Sequence, residues 1–192
     1  MPKIFNMNGL EIYPEILSKE SCEKIIELFA NDTKKVRGRT SSDRGKLSTD
    51  LCCEFDTKRW SEYSNLIMPG LINLGNNIKQ KYPFLVDGCH FWKPEHHYNI
   101  QHYKDGEGYY DLHNEHNYKH CHRMMAWMIY LNDAECGTEF PYQDTVVKAE
   151  QGKGVIWSAE WTHPHKGVTP NIGDKYIVTG WFVYFEPRKG FA

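Results

Sequence analysis

The sequence predicts a mixed α/β, mainly β, fold: a double-stranded β-helix, or jelly roll, with N-terminal helices packed outside it. Two amphipathic helical stretches occupy the first part of the chain. Beyond Pro83 nearly every apolar run is short, alternating or β-branched and is bounded by turn residues. Helices first and many short strands after imply helices laid on an antiparallel double sheet.

The first helix opens at Leu17-Ser18-Lys19-Glu20, with Ser18 as N-cap and Glu20 near the positive end of the helix dipole. Cys22, Ile25, Ile26 and Phe29 follow at i, i+3, i+4 and i+7, one apolar stripe that ends near Asn31-Asp32. Residues 34–50 are polar and basic, among them Lys34, Lys35, Arg37, Arg39, Arg44 and Lys46, and read as a mobile loop, either plainly solvated or a flap over a site. From Asp56 the pattern is helical again, with Trp60, Tyr63, Ile67, Leu71, Leu74 and Ile78 on one face and a kink or break expected at Pro69-Gly70.

The strand region begins with the alternating run Tyr98 to Tyr103, followed by a turn over Lys104 to Gly108. Met124 to Leu131 is almost continuously apolar and suits a strand buried on both faces. Thr145 to Val147, Val155 to Trp157 and Tyr176 to Phe185 are the remaining strands.

A chain of 192 residues is large enough for a real core and is read as one domain, 1–192. The net charge of −2 offers no basic field for nucleic acid or an anionic membrane, so neither is expected as a partner. No window approaches an apolar membrane span and no apolar leader opens the chain, so a cytoplasmic protein is expected. Six cysteines (Cys22, Cys52, Cys53, Cys89, Cys121, Cys136) are scattered without a Cys-x-x-Cys pair and read as reduced thiols, Cys22 as a core residue.

The chemistry-bearing stretch runs from Tyr103 to Lys175. His113-Asn-Glu115 and the pair His163-Pro-His165 offer two imidazoles and a carboxylate, the donors that occupy one face of an octahedral Fe(II) and leave three positions open. Lys175 would supply a cation for the far carboxylate of a 2-oxo acid chelated there. His116 competes for the metal only if the segment is helical, which Tyr109 and Tyr110 argue against. His90, His96, His97, His102, His120 and His122 have no partner at a diagnostic spacing and read as solvated or hydrogen-bonded histidines. Trp157, Trp161 and Trp181 lie near the distal histidines and are readable as cleft walls or as core, Trp161 being the exposed one.

Residues 12–185 resemble the prolyl 4-hydroxylase-like branch of the Fe(II)/2-oxoglutarate-dependent dioxygenases. The resemblance is carried by Leu17-Ser18 with Cys22, Ile25 and Ile26, by Tyr103…Gly108…His113-x-Glu115, Ile129-Tyr-Leu-Asn132 and Gly137-Thr-Glu-Phe140, and by His165-x-Gly167…Gly173-Asp-Lys175-Tyr…Trp181. It implies His113, Glu115 and His165 as iron ligands and Lys175 as partner of the distal 2-oxoglutarate carboxylate. Tyr103 and Tyr130 become hydrogen-bond donors to 2-oxoglutarate, although both are equally readable as core tyrosines. His165, ten residues before Lys175, has the family's separation; His163 is twelve away. Glu115 stands where the family has Asp, with the same charge on a stem one methylene longer.

The resemblance further implies Fe(II), 2-oxoglutarate and O2, with ascorbate as an optional reductant. A prolyl residue in a peptide or protein is the implied substrate, oxidised as 2-oxoglutarate is decarboxylated to succinate and CO2. A free amino acid, small metabolite or non-prolyl residue is the alternative, and a non-catalytic jelly-roll binding module the third reading. The sequence leaves the oligomeric state open.

Overall fold

The structure, a computed structural model, describes residues 9–38, 40, 44–87, 91–170 and 172–185. In chain order the elements are β1 (Leu10–Tyr13), α1 (Lys19–Asn31), β2 (Val36–Arg37), β3 (Thr49–Glu54), α2 (Ser61–Lys81), α3 (Phe84–Asp87), β4 (Trp92–Tyr103), β5 (Arg123–Tyr130), β6 (Gly137–Phe140), β7 (Thr145–Lys148), β8 (Gly154–Ser158), β9 (Lys166–Gly167) and β10 (Lys175–Tyr184). Seven strands form one antiparallel sheet in the order β1-β8-β5-β10-β4-β3-β2, and three form a second in the order β7-β6-β9.

Alternation along each strand divides the large sheet into two faces. Leu51, Cys53, Tyr98, Ile100, Trp127, Ile129, Val178 and Phe182 point to one face and pack with Ile25 and Phe29 of α1 and Ile67, Leu71 and Leu74 of α2. The other face supplies Tyr103, Met128, Tyr130, Trp157 and Ile177, which meet Phe140 and Val147 of the small sheet in a second core. β5 serves both cores, which explains its unbroken apolar run: from Met124 to Tyr130 every residue is buried.

Ser18 caps α1 by accepting from the Ser21 N–H at 3.2 Å, as its sequence position predicts. α2 runs through Pro69 as one helix, so of the expected kink or break the break does not occur; at Gly70, Leu17 stands 2.7 Å from where a Cβ would be. The 34–50 stretch departs too, although residues 39 and 41–43 lie outside the described residues. Val36–Arg37 pair with Thr49 and Asp50, and Lys46 bridges to Tyr109. Its described part is thus tied into the sheets, with Lys46 and Asp50 buried. No helix among the described residues is long and apolar enough to cross a membrane.

Candidate active site

Between the inner face of the large sheet and the small sheet lies a cavity of about 250 Å³. Alternate residues of β10, namely Lys175, Ile177, Thr179 and Trp181, form one wall, with Asn99, Gln101 and Tyr103 of β4 beside them. His113, Glu115 and His165 close it from the side of the small sheet.

Backbone pairing brings the two histidines together. The His113 N–H donates to the His165 carbonyl at 3.0 Å and the His165 N–H to the His113 carbonyl at 2.9 Å, a cross-strand pair whose side chains share one face. Glu115 leaves this pairing: its N–H, like that of His116, donates to the carbonyl of Ala159. Each imidazole keeps its Nδ1 on a backbone carbonyl, Asp111 for His113 at 2.9 Å and His163 for His165 at 3.1 Å. A proton on Nδ1 leaves the Nε2 lone pair free. Both Nε2 atoms face Glu115 Oε1, at 3.7 Å from His113 and 3.5 Å from His165. The three donors lie within 4.8 Å of one another, the set of a 2-His-1-carboxylate iron site.

The protonation states suit cation binding. Burial, then the neighbouring His165, pushes His113 down to about 4. Burial raises the Glu115 carboxyl, but His165, His113 and the Trp181 N–H outweigh it and hold it at about 2. Both folded values lie below their ordinary ones, so the unfolded chain binds more protons as the pH falls through about 6.5 to 4 for His113 and about 4.5 to 2 for Glu115. The stability these groups contribute is present above those windows and lost on acidification. Metal-free protein should therefore lose on the order of 3 kcal/mol through His113 alone between pH 7 and 4. Urea unfolding at stepped pH measures this, and His113→Ala should flatten the upper part of the curve.

The extra methylene of Glu115 has a visible use. Its Oε2 accepts from Trp181 Nε1 at 2.8 Å and lies 3.6 Å from an Arg123 nitrogen, while Oε1 remains toward the histidines. Arg123 stacks 3.4 Å from the centre of the Trp181 ring, and its Nε donates to Glu95 at 3.1 Å. A shorter aspartate in the same backbone would have to give up one of its two sets of contacts. Trp181→Phe keeps an aromatic ring, smaller than the indole, and deletes the N–H; it is expected to weaken metal binding roughly 10–100-fold, with Fe(II) titration as the measurement.

Lys175 is 2 % exposed. Its ammonium donates to the carbonyls of Gly137 and Val168, each at 3.2 Å, and lies 4.9 Å from the Tyr103 ring centre. Burial lowers its pKa. No carboxylate among the described residues pairs with it, so its charge faces a cavity suited to an anion.

Tyr103 lines the cavity, but its hydroxyl donates to Gln101 Oε1 at 2.7 Å. Tyr130 is fully buried behind the wall, its hydroxyl 2.8 Å from Thr138 Oγ1 and 3.1 Å from the Val147 carbonyl; Thr138, not Tyr130, lines the cavity.

The remaining histidines separate from this group. His116 Nδ1 pairs with Glu160 at 2.7 Å, and His163 turns away, its ring packed where a Cβ on Gly9 would meet it. His102 pairs with Asp174 at 2.7 Å and stacks on Tyr176, and His122 meets Glu95 at 3.4 Å. His90 and Cys89 lie outside the described residues. His96 and His97, read as solvated or hydrogen-bonded histidines, are exposed and gather around Glu54, with His96 hydrogen-bonded to Asp56. Trp157 and Trp181 wall the cavity, whereas Trp161 is exposed and does not.

Sequence reasoning missed Asn99, Gln101, Arg123, Thr138 and the buried pair of Lys46 and Asp50, joined at 2.6 Å. The alternation of Asn99, Gln101 and Tyr103 along a strand could have exposed the first two. Nothing local marks Arg123.

Residues 98–183 match the family described as the 2OG-Fe(II) oxygenase superfamily. Among curated proteins no sequence match is found. The fold is shared with a prolyl hydroxylase from Trichoplax adhaerens solved with a hypoxia inducible factor peptide fragment (TM-score 0.72, 17% identity, 93% of this chain and 84% of that one). It is shared equally with a prolyl-4-hydroxylase from Pseudomonas putida (0.67, 15%, 93% and 94%). A third is the viral collagen prolyl hydroxylase of Paramecium Bursaria Chlorella virus-1 in its 2OG complex (0.64, 18%, 91% and 95%).

Proposed function

We propose that this chain, a 2OG-Fe(II) oxygenase by the match of residues 98–183, is an Fe(II)- and 2-oxoglutarate-dependent hydroxylase of prolyl residues in a peptide or protein. The observation that carries the reading is the meeting of a His-Glu-His donor set and the buried ammonium of Lys175 in one cavity. Bound there, iron and 2-oxoglutarate supply the oxidising chemistry by which one oxygen atom of O2 enters succinate, with release of CO2, and the other enters a substrate C–H bond.

In this reading His113, Glu115 and His165 hold the metal, and Trp181 and Arg123 keep Glu115 turned toward it. Lys175 holds the distal carboxylate of 2-oxoglutarate by a charge-assisted hydrogen bond. Tyr103 rotates its hydroxyl from Gln101 to the same ligand, and Tyr130 acts one step back by fixing Thr138 at the cavity wall. One domain, residues 1–192, carries the reaction. The described cysteines are all free, which fits a reducing, cytoplasmic setting.

The prolyl substrate is supported by three solved structures that share the fold and are prolyl hydroxylases. A free amino acid or small metabolite is favoured by a different observation: Lys46, Asn99 and Gln101 make part of the cavity polar. Succinate formation from 2-oxoglutarate with Fe(II) is the test, run with proline-containing peptides and with free amino acids, each with and without ascorbate. Peptide-stimulated succinate with a hydroxylated prolyl product is expected. Coupling to free amino acids alone would select the second reading, and iron-loaded protein that binds no 2-oxoglutarate would overturn both.

A further inference from the structure

A second group of metal-type donors lies apart from the cavity. Glu54, at the end of β3, is flanked by His96 and His97 of β4, with His96 Nε2 at 3.7 Å from Oε2 and His97 Nε2 at 3.5 Å from Oε1. One donor atom from each residue lies within 4.8 Å of the others. Ligands held at about 2.0–2.2 Å around a tetrahedral ion stand roughly 3.4 Å apart, and each imidazole-to-carboxylate separation is close to that edge.

Adjacent residues of a regular strand point to opposite faces and could not share an ion. Here β4 carries a bulge: Gly180 and Phe182 of β10 pair with Tyr98 and Pro94, so that Trp181 alone spans Glu95, His96 and His97. The bulge brings both imidazoles to Glu54, their ring centres 4.9 Å apart and nearly perpendicular. A further carboxylate completes the arrangement. Asp56 Oδ2 lies 3.3 Å from His96 Nδ1, which fixes that proton on Nδ1 and presents Nε2 to Glu54, the way metal-bound histidines are held by an outer carboxylate.

The register also gives the group a place. Asp50, Cys52 and Glu54 alternate along β3 opposite Gln101, Asn99 and His97, and Asn99 and Gln101 line the cavity. Glu54 and His97 thus continue the same face of the sheet, two strand positions out from Asn99.

We infer that Glu54, His96 and His97 form a second site for a divalent transition-metal ion of the zinc class, oriented by Asp56 and set at the rim of the cleft. Three protein ligands leave a fourth position open to water or to an imidazole or carboxylate of a bound molecule.

Zn2+ titration of the metal-free full chain, followed by calorimetry, tests the site. Two ions per chain are expected. The His113→Ala/His165→Ala variant should keep the rim ion, and His96→Ala/His97→Ala should lose it while keeping the other. Asp56→Asn, which leaves every ligand in place, should weaken the rim ion about tenfold. Absence of Zn2+ binding in the His113→Ala/His165→Ala chain, or two ions retained by His96→Ala/His97→Ala, would overturn the inference. So would unchanged affinity in Asp56→Asn, since exposed histidines binding without an oriented site would not respond to that change.

Discussion

Replacing His165 by alanine is expected to abolish Fe(II) binding and turnover, while His163→Ala keeps the metal. The two histidines share one turn and differ by two positions, yet the structure separates them. His165 forms the backbone pair with His113, aims Nε2 at Glu115 and is packed among Phe140, Trp157 and His113. His163 contributes its carbonyl as the acceptor for His165 Nδ1, a role its backbone retains in the alanine variant. Loss of an inner ligand should exceed the roughly 10–100-fold that an outer partner is worth. Iron titration of both variants measures the difference, and the opposite pattern would move the ligand to His163.

Lys175→Ala is expected to weaken 2-oxoglutarate binding by roughly 2–5 kcal/mol, the range for removing one partner of a buried, hydrogen-bonded charge pair. Iron affinity should stay close to that of the unaltered chain, because Lys175 touches none of the three donors; its contacts are Gly137, Val168 and the Tyr103 ring. Stability should hold or rise, since an unpaired buried ammonium is unfavourable without its anion. Calorimetric titration of 2-oxoglutarate into metal-loaded protein, beside a thermal melt, separates these effects. Normal 2-oxoglutarate affinity with lost iron would refute the assignment.

The amino-acid sequence by itself determined the element types and the principal polar side chains of the cavity. Cys22, Ile25 and Phe29 mark a helix because 3.6-residue periodicity is a local property. Met124 to Leu131 marks a doubly buried strand because no polar residue interrupts it. His113, Glu115 and the pair His163 and His165 stand out as metal donors because few other residue types can serve a metal, and Lys175 as a cation for the far carboxylate of a chelated 2-oxo acid; the choice of His165 over His163 came from the family's spacing. The structure brings His113, Glu115, His165 and Lys175 to one cavity.

Only the tertiary structure decided what supports them. Trp181 and Arg123 lie 66 and 8 positions from Glu115 in the chain, and their meeting at Oε2 depends on which strands neighbour one another, a non-local choice that no spacing rule encodes. Lys46 and Asp50 sit in a basic polar stretch that reads as solvated; they are buried because the stretch joins the sheets at Val36–Arg37 and Lys46. His96 and His97 show the limit most sharply. Period-two alternation sends neighbours to opposite faces, and a bulge over Glu95, His96 and His97, where the register with β10 shifts, turns both histidines toward Glu54.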